Sequence, residues 1–457
     1  MFQLNECLEK LDKEGTPIRT SVIGAGSMGS GMVTQTSKAP GMQVDVVVDI
    51  KIENAINSLT MVPGINESKI VICDSLADAE KALKSGKKVC STNPEIAWGL
   101  KTIDVVCEAT GVPAAYAGIA LNAIRNKKHV VTLNVEGDVC IGHILKMFAD
   151  NAGVVYTGIY GDEPGCAMAL YYEAAALGYD IVAMGRSDMG GSDLKWNKET
   201  VKKPLRDAGF ADMERNSAMF ASFCDGSKTN EECCMMANAT GLRPDVRGMH
   251  GPYVSFEEFP GKVPELLQLK KNGGILNNLG VVEKIKPPGD SPVPLGHNFI
   301  WVFVVVRATT PLEKGMLSLG GHVKAGVDNR IFYSCYHRVS MQAPITVAAV
   351  AIDHRATVTP MAGNKRAADV ITMAKKDLKV GEVIDEIGAF CTTGRIEVAS
   401  IARKENLLPF TLAAGAKVKR AISKEGFLTY DDVELQDDQA LIVQLRNLQS
   451  KLFGDLH

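Results

Sequence analysis

Along the first third of the chain, short runs of apolar and β-branched residues alternate with polar stretches of helical spacing. Residues 18–23 form a short apolar strand that runs straight into Gly24, and SMGSGMVTQTSK beyond it starts a helix at its glycine-rich end. VDVVVDI (44–50) is a continuous β-branched run, the pattern of a parallel strand buried on both faces. Further strands are predicted at 69–74, 104–108, 129–134 and 154–161, with helices over KIENAINSL, 114–127 and 141–153. A six-strand alternation of this kind predicts an α/β protein whose first 161 residues form a doubly wound parallel sheet.

Beyond residue 161 the rhythm changes. One helix is predicted over 164–180, then the strand IVAMGRS, then a stretch from 188 to 340 rich in Gly, Asn, Lys and Pro with strands such as WVFVVVRA. This reads as an α+β substrate-binding and catalytic domain (162–356) with long loops. APITVAAVAIDHRA (343–356) reads as a helix or a strand leading back to the framework. Short β-type runs, turn glycines and a closing helix mark a third, β-rich domain over 357–457.

Composition adds mainly exclusions. Hydrophobic residues make up 46% and charged residues 23%, as in ordinary globular proteins, and 50 basic against 53 acidic residues give no pull toward nucleic acid or an anionic membrane. The runs FIWVFVVV (299–306) and ITVAAVAI (345–352) fall well short of the roughly 20 residues that span a bilayer. The charged, amphipathic N-terminus is not a secretory signal. Eleven cysteines without a C-x-x-C pair read as reduced thiols of a cytoplasmic protein.

The chemistry begins at VIGAGSMG (22–29). Gly24, Gly26 and Gly29 stand after a predicted strand and open a helix, which makes G-x-G-x-x-G informative as a Rossmann dinucleotide signature. The first glycine permits the turn, the second lets a pyrophosphate approach, and the third lets helix and sheet pack closely. Ser27 and Met28 lie on the same loop. Asp49 ends the second strand where a ribose hydroxyl acceptor belongs, and Lys51 stands where it could reach a 2′-phosphate. The cofactor is expected to be NAD or NADP, with NADPH slightly favoured. Ala109, Thr110 and Gly111 of EATG, and Asn134 of TLNVEGD, sit at the carboxyl ends of later strands and should border the nicotinamide. For Asn134 and Glu136, capping of the following helix is an equal alternative.

Downstream, GDEPG places Asp162 and Glu163 at the head of a helix, where they could bind a divalent metal, move a proton or simply cap the helix. DGSKTNEE (225–232) gathers Asp225, Ser227, Lys228, Asn230 and Glu231 as a clamp for substrate oxygens or as a solvated turn. Arg186 and Lys202 are candidate anion anchors. Neither H-E-x-x-H nor a G-x-S-x-G elbow occurs.

With VIGAGSMG, EATG and KKHVVTLNVEGD in its first part, and AKKDLKVGEVID and GAKVKRAISKEGFLTYDDVEL in its last, the chain resembles homoserine-dehydrogenase-like oxidoreductases that carry a C-terminal SAF domain. It departs from them where the family's TANK segment has lysine, since Asn134 is followed here by Val135 and Glu136. The resemblance implies NAD(P)H-dependent reduction of a small polyhydroxylated carbonyl compound, phosphorylated ones included. The branch it points to resembles 1-deoxy-D-xylulose 5-phosphate reductoisomerase. In that version Asp162, Glu163 and Glu231 hold Mg or Mn, while Lys228, Asn230, Ser227, Arg186 and Lys202 bind substrate. In the homoserine version Lys228 is the acid/base and no metal is needed. A sensor that binds NAD(P) without turnover is the alternative from another class. A homodimer or larger homo-oligomer with no macromolecular partner is expected.

Overall fold

The computed structural model describes residues 4–288, 300–318, 323–335, 337–363 and 365–456, so position 299 of the predicted run 299–306 lies outside the described residues. The chain divides into two compact units. One comprises Met1–Gly165, Arg338–Thr359 and Ala440–Gln449, and the other Cys166–His337, Pro360–Gln439 and Ser450–His457.

The first unit is an α/β layer structure around a seven-stranded sheet. Its strands are β1 (Ile18–Ile23), β2 (Met42–Val48), β3 (Ile70–Ile72), β4 (Lys88–Ser91), β5 (Val105–Glu108), β6 (His129–Thr132) and β7 (Tyr156–Gly158). They run parallel throughout in the order β3-β4-β2-β1-β5-β6-β7. The order reverses at β1, so the crevice beside its carboxyl end is the switch point at which such sheets bind ligands. Val22, Val44, Val47, Val105 and Val131 are buried on the sheet against Met32 and Leu59 of the crossover helices. Seven strands are present against the six expected. The additional one, β4, is only four residues long and reads KVCS, too short for its periodicity to stand out.

The segment 343–356 resolves as a helix, Ala343–Asp353, whose Ala343, Val347 and Val350 join the core of this first unit. Alternating Val and Ala satisfy both helical and strand spacing, which is why the pattern left both open.

The second unit is built on a mixed five-stranded sheet: β8 (Asp180–Ser187), β9 (Arg243–Pro244), β10 (Val281–Ile285), β11 (Val302–Arg307) and β12 (Asn329–Ser334), in the order β12-β11-β8-β10-β9. β8, β9 and β10 are parallel, whereas β11 runs antiparallel to β8 and β12. One face is packed by Val182, Val281, Phe303 and Val305 against Phe259 and Val263. The buried helix Ser227–Thr240 belongs to the same unit. Strands Ala368–Ala374 and Thr392–Val398 pair antiparallel beside it, tied by the Asn238 amide, which accepts the N–H groups of Ala367 and Ala368 at 3.1 Å each. Among the described residues no helix is long and apolar enough to cross a membrane.

Candidate active site

The glycine loop sits at the carboxyl end of β1 and opens helix α1 (Ser27–Lys38). Gly24 adopts φ +91°, and a Cβ there would lie 2.7 Å from the Ala109 and Thr110 backbone. A Cβ on Gly29 would come within 1.7 Å of the Gly24 carbonyl oxygen, so helix and strand meet more closely than any side chain permits. Gly26 differs, with nothing within 4 Å of its Cβ position. It is the N-cap of α1 with no side-chain cap, leaving the first-turn N–H groups beside Gly26, Ser27 and Met28 directed at open space. A helix start of this kind is able to hold an anion.

Asp49 braces this loop. One carboxylate oxygen accepts the Ala25 N–H at 2.7 Å, and the other accepts the Lys51 N–H at 2.9 Å and the Asn54 amide at 3.2 Å. A carboxylate has about four lone-pair sites, so one remains for a ribose hydroxyl. Lys51 itself is exposed. At the next strand end, fully buried Glu108 accepts bonds from the Thr110 N–H and hydroxyl and from the Thr132 hydroxyl, and burial pushes its pKa up against them. These bonds fix the backbone of Ala109, Thr110 and Gly111. Asn134 caps the helix Val135–Ala152 by accepting the Gly137 N–H at 2.9 Å, so of its two expected roles the cap is the one observed. Asp162 and Glu163 lie in the first unit at the head of the helix Glu163–Ala176, 9% and 2% exposed.

The other expected site residues belong to the second unit, and their contacts sort them. Arg186 has no exposed surface. It donates to the Ser187 carbonyl and forms an ion pair with the equally buried Glu232. Arg186→Ala would leave the Glu232 carboxylate buried and uncompensated, and denaturant unfolding should show a loss of about 3–5 kcal/mol. Unchanged stability with a raised KM would instead identify an anion anchor. Lys202 pairs with Glu199 at 2.7 Å on the short helix Lys202–Asp207. Ser227 donates to Asp225 at 2.7 Å and also meets Thr393 at 2.9 Å. The Asn230 amide donates to the Gly226 carbonyl and accepts the Ile396 N–H at 2.9 Å. The 392–398 strand thus latches the start of helix Ser227–Thr240, where Lys228 (9% exposed) and Glu231 (fully buried) also lie.

What the sequence reading passed over is a charged pair inside β10. Glu283 and Lys284 are 0% and 4% exposed within the otherwise apolar VVEKI. The Lys284 ammonium donates to the Ser192 hydroxyl at 2.7 Å and lies 3.8 Å from the Asp188 carboxylate. Asp188 in turn accepts the Met189 N–H, the Thr229 hydroxyl and the Ser192 hydroxyl. Burial is the largest influence on Lys284 and lowers its pKa to about 8, with Asp188 opposing the shift. Glu283 accepts the N–H groups of His250, Gly251 and Lys284, which turns the 250–251 loop over this strand. A Cβ on Gly251 would stand 2.9 Å from the Lys284 stem and 2.6 Å from that of Lys286, so both lysines flank the loop on one side. The Lys286 ammonium lies 5.0 Å over the Tyr253 ring. Beside this group, Lys375 pairs with Asp225 at 2.9 Å, both buried. The available signal was a pair of charges interrupting an apolar strand, together with Asp188 in GRSD.

Such an arrangement has definite chemistry. A lysine at pKa about 8 exchanges its proton near neutrality, and a hydroxyl–carboxylate partnership holds its ammonium in place.

No curated protein matches the chain. Among solved structures it is similar to a homoserine dehydrogenase from Thiobacillus denitrificans, 15% identical over 83% of this chain and 90% of that one, with a TM-score of 0.39. GenD2 from gentamicin A biosynthesis, solved in complex with NAD, is 15% identical over 76% and 88%, with a TM-score of 0.36. An NAD-binding protein from Listeria innocua is 20% identical over 37% of this chain, which spans 44% of that protein, with a TM-score of 0.24. Residues 161–343, which hold both the Asp162–Glu163 pair and Lys284, match the family described as oxidoreductase DRL, catalytic domain.

Proposed function

We propose that the chain is an NAD(P)H-dependent oxidoreductase that reduces a small, polyhydroxylated and phosphorylated carbonyl compound, in the manner of a 1-deoxy-D-xylulose 5-phosphate reductoisomerase. The observation that carries the reading is Lys284, a buried ammonium of lowered pKa held by Ser192 and Asp188 inside a segment that matches an oxidoreductase catalytic domain.

Bound nicotinamide would supply the hydride, and a divalent cation would polarise the substrate oxygens. The first unit fits a dinucleotide: Gly26 leaves open the space a Cβ would fill, and the uncapped start of α1 faces it. Adjacent buried carboxylates, Asp162 and Glu163, are the hard oxygen donors that suit Mg or Mn. In this reading Lys284 donates a proton to the carbonyl oxygen as that oxygen gains charge. Asp188 and Ser192 hold the ammonium in position and limit its conformations. Lys286 adds a second positive charge on the same side of the Gly251 loop, which favours a phosphorylated substrate over a neutral one. Lys228 binds a substrate hydroxyl. NADPH is favoured over NADH through Lys51.

A screen of NADPH oxidation over carbonyl substrates, with and without chelator, tests this reading. Turnover of 1-deoxy-D-xylulose 5-phosphate that is lost in chelator and restored by Mg or Mn is expected. Full activity in chelator, with aspartate semialdehyde as the substrate, would replace it with the homoserine reaction.

A further inference from the structure

At the opposite edge of the seven-stranded sheet from the glycine loop, the first unit carries an open cavity of about 600 Å³. Ile18, the first residue of β1, and His129, the first of β6, line it. Since all strands run parallel and β1 is six residues long, about 20 Å of extended backbone separate this cavity from the glycine loop. It is a different place from the cofactor site.

Its lining has two characters. Leu11, Ile18, Ile103 and Ile352 make an apolar floor. Lys10, Lys101, Lys127 and Lys128 stand around it against only two carboxylates, Glu14 and Asp104. Glu14 lies 3.8 Å from Lys10, and the Asp104 carboxylate accepts the Arg19 N–H at 2.8 Å. Lys101 and Lys127 are exposed and have no ion pair among the described residues. Lys128 is 7% exposed, its ammonium donating to the Ile103 carbonyl at 2.6 Å, and burial lowers its pKa. Lys127 adopts φ +55°, in the left-handed region that side-chain-bearing residues rarely occupy. A volume of this size suits a small molecule, and a lysine rim over an apolar floor suits a phosphate on a short apolar or ring-shaped body.

We propose that this cavity is a second ligand site, which binds a small phosphate-bearing molecule apart from cofactor and substrate.

Cys7 lines the cavity and supplies a local reporter, because it is the exposed thiol, nine others are buried and Cys335 is half-buried. In the full chain carrying Cys335→Ser, the rate of Cys7 modification by a thiol reagent is followed with inorganic pyrophosphate, at ionic strength matched with sodium chloride. Pyrophosphate at ten times its dissociation constant should slow the reaction about tenfold if the occupied site shields the thiol. The slowing should vanish in Lys101→Glu/Lys127→Glu and persist in Lys81→Glu/Lys84→Glu, an equal charge change on the helix Leu76–Lys84, which does not line the cavity. Saturating NADPH should not reproduce it. An unchanged rate, equal slowing in the Lys101/Lys127 variant, loss of slowing in the Lys81/Lys84 variant, or the same protection by NADPH would each overturn the proposal. The fold of every variant is checked by circular dichroism.

Discussion

Lys284→Met is expected to lower turnover by about 10²–10⁴-fold, the usual contribution of a positioned proton donor, while cofactor binding stays within about twofold of the unmodified enzyme. Methionine keeps most of the apolar stem and removes the ammonium, so β10 retains its packing. What is lost is the donor held 2.7 Å from Ser192 and 3.8 Å from Asp188. The pH dependence separates this role from a structural one. In the reductive direction the protonated amine is required, so turnover should fall as pH rises through about 8, the pKa to which burial lowers Lys284. The variant should lose that limb. Stability should move in the opposite sense. Between about 8 and the unfolded lysine value of about 10.4, the unfolded chain binds more protons at this position than the folded one. Stability from this group therefore rises with pH across that window, and Lys284→Met should flatten the rise. A variant that loses stability throughout the pH range and keeps the activity limb would assign Lys284 to packing alone.

The second large effect separates two glycines that the motif treats alike. Gly26→Ala should abolish measurable cofactor binding, at least about a hundredfold, yet leave the melting temperature within a degree, because its added methyl enters the open space where the proposed function puts the pyrophosphate. Its φ of −69° suits alanine. Gly29→Ala should lose both. Its methyl would stand 1.7 Å from the Gly24 carbonyl oxygen, which forces α1 away from β1 and costs about 3 kcal/mol or more. Fluorescence titration with NADPH beside thermal unfolding reads both quantities. Equal melting temperatures for the two variants would mean that the helix and strand can separate freely.

The sheet of the first unit was legible because doubly buried strands are written as β-branched runs: VDVVVDI became β2, and HVVT became β6. The glycine triplet was legible for the same kind of reason, since backbone approach leaves no substitute for glycine. Other features lay beyond local pattern. The helix Ala343–Asp353 packs into a core whose other members precede it by some 180 positions or more, and no window of sequence encodes that return. Arg186 read as an anion anchor, and Ser227 and Asn230 as parts of a substrate clamp or a solvated turn, because their types are polar. Their partners, Glu232, Thr393 and the Ile396 backbone, come from distant segments and turn them into internal braces. Lys284 went unread for the converse reason. Inside VVEKI it weakens the apolar signal of the strand, and its lowered pKa arises from burial against the opposing charge of Asp188, neither of which its own neighbours in sequence announce.

The most direct test of the account follows the hydride itself. The purified chain is mixed with NADPH deuterated at C4, a divalent cation and 1-deoxy-D-xylulose 5-phosphate, and the product is examined by mass spectrometry. One deuterium on carbon in the reduced product, formed at a rate that collapses in Lys284→Met, is the predicted result. Cofactor that binds at the glycine loop but retains all of its deuterium with this and every other phosphorylated carbonyl substrate would contradict it.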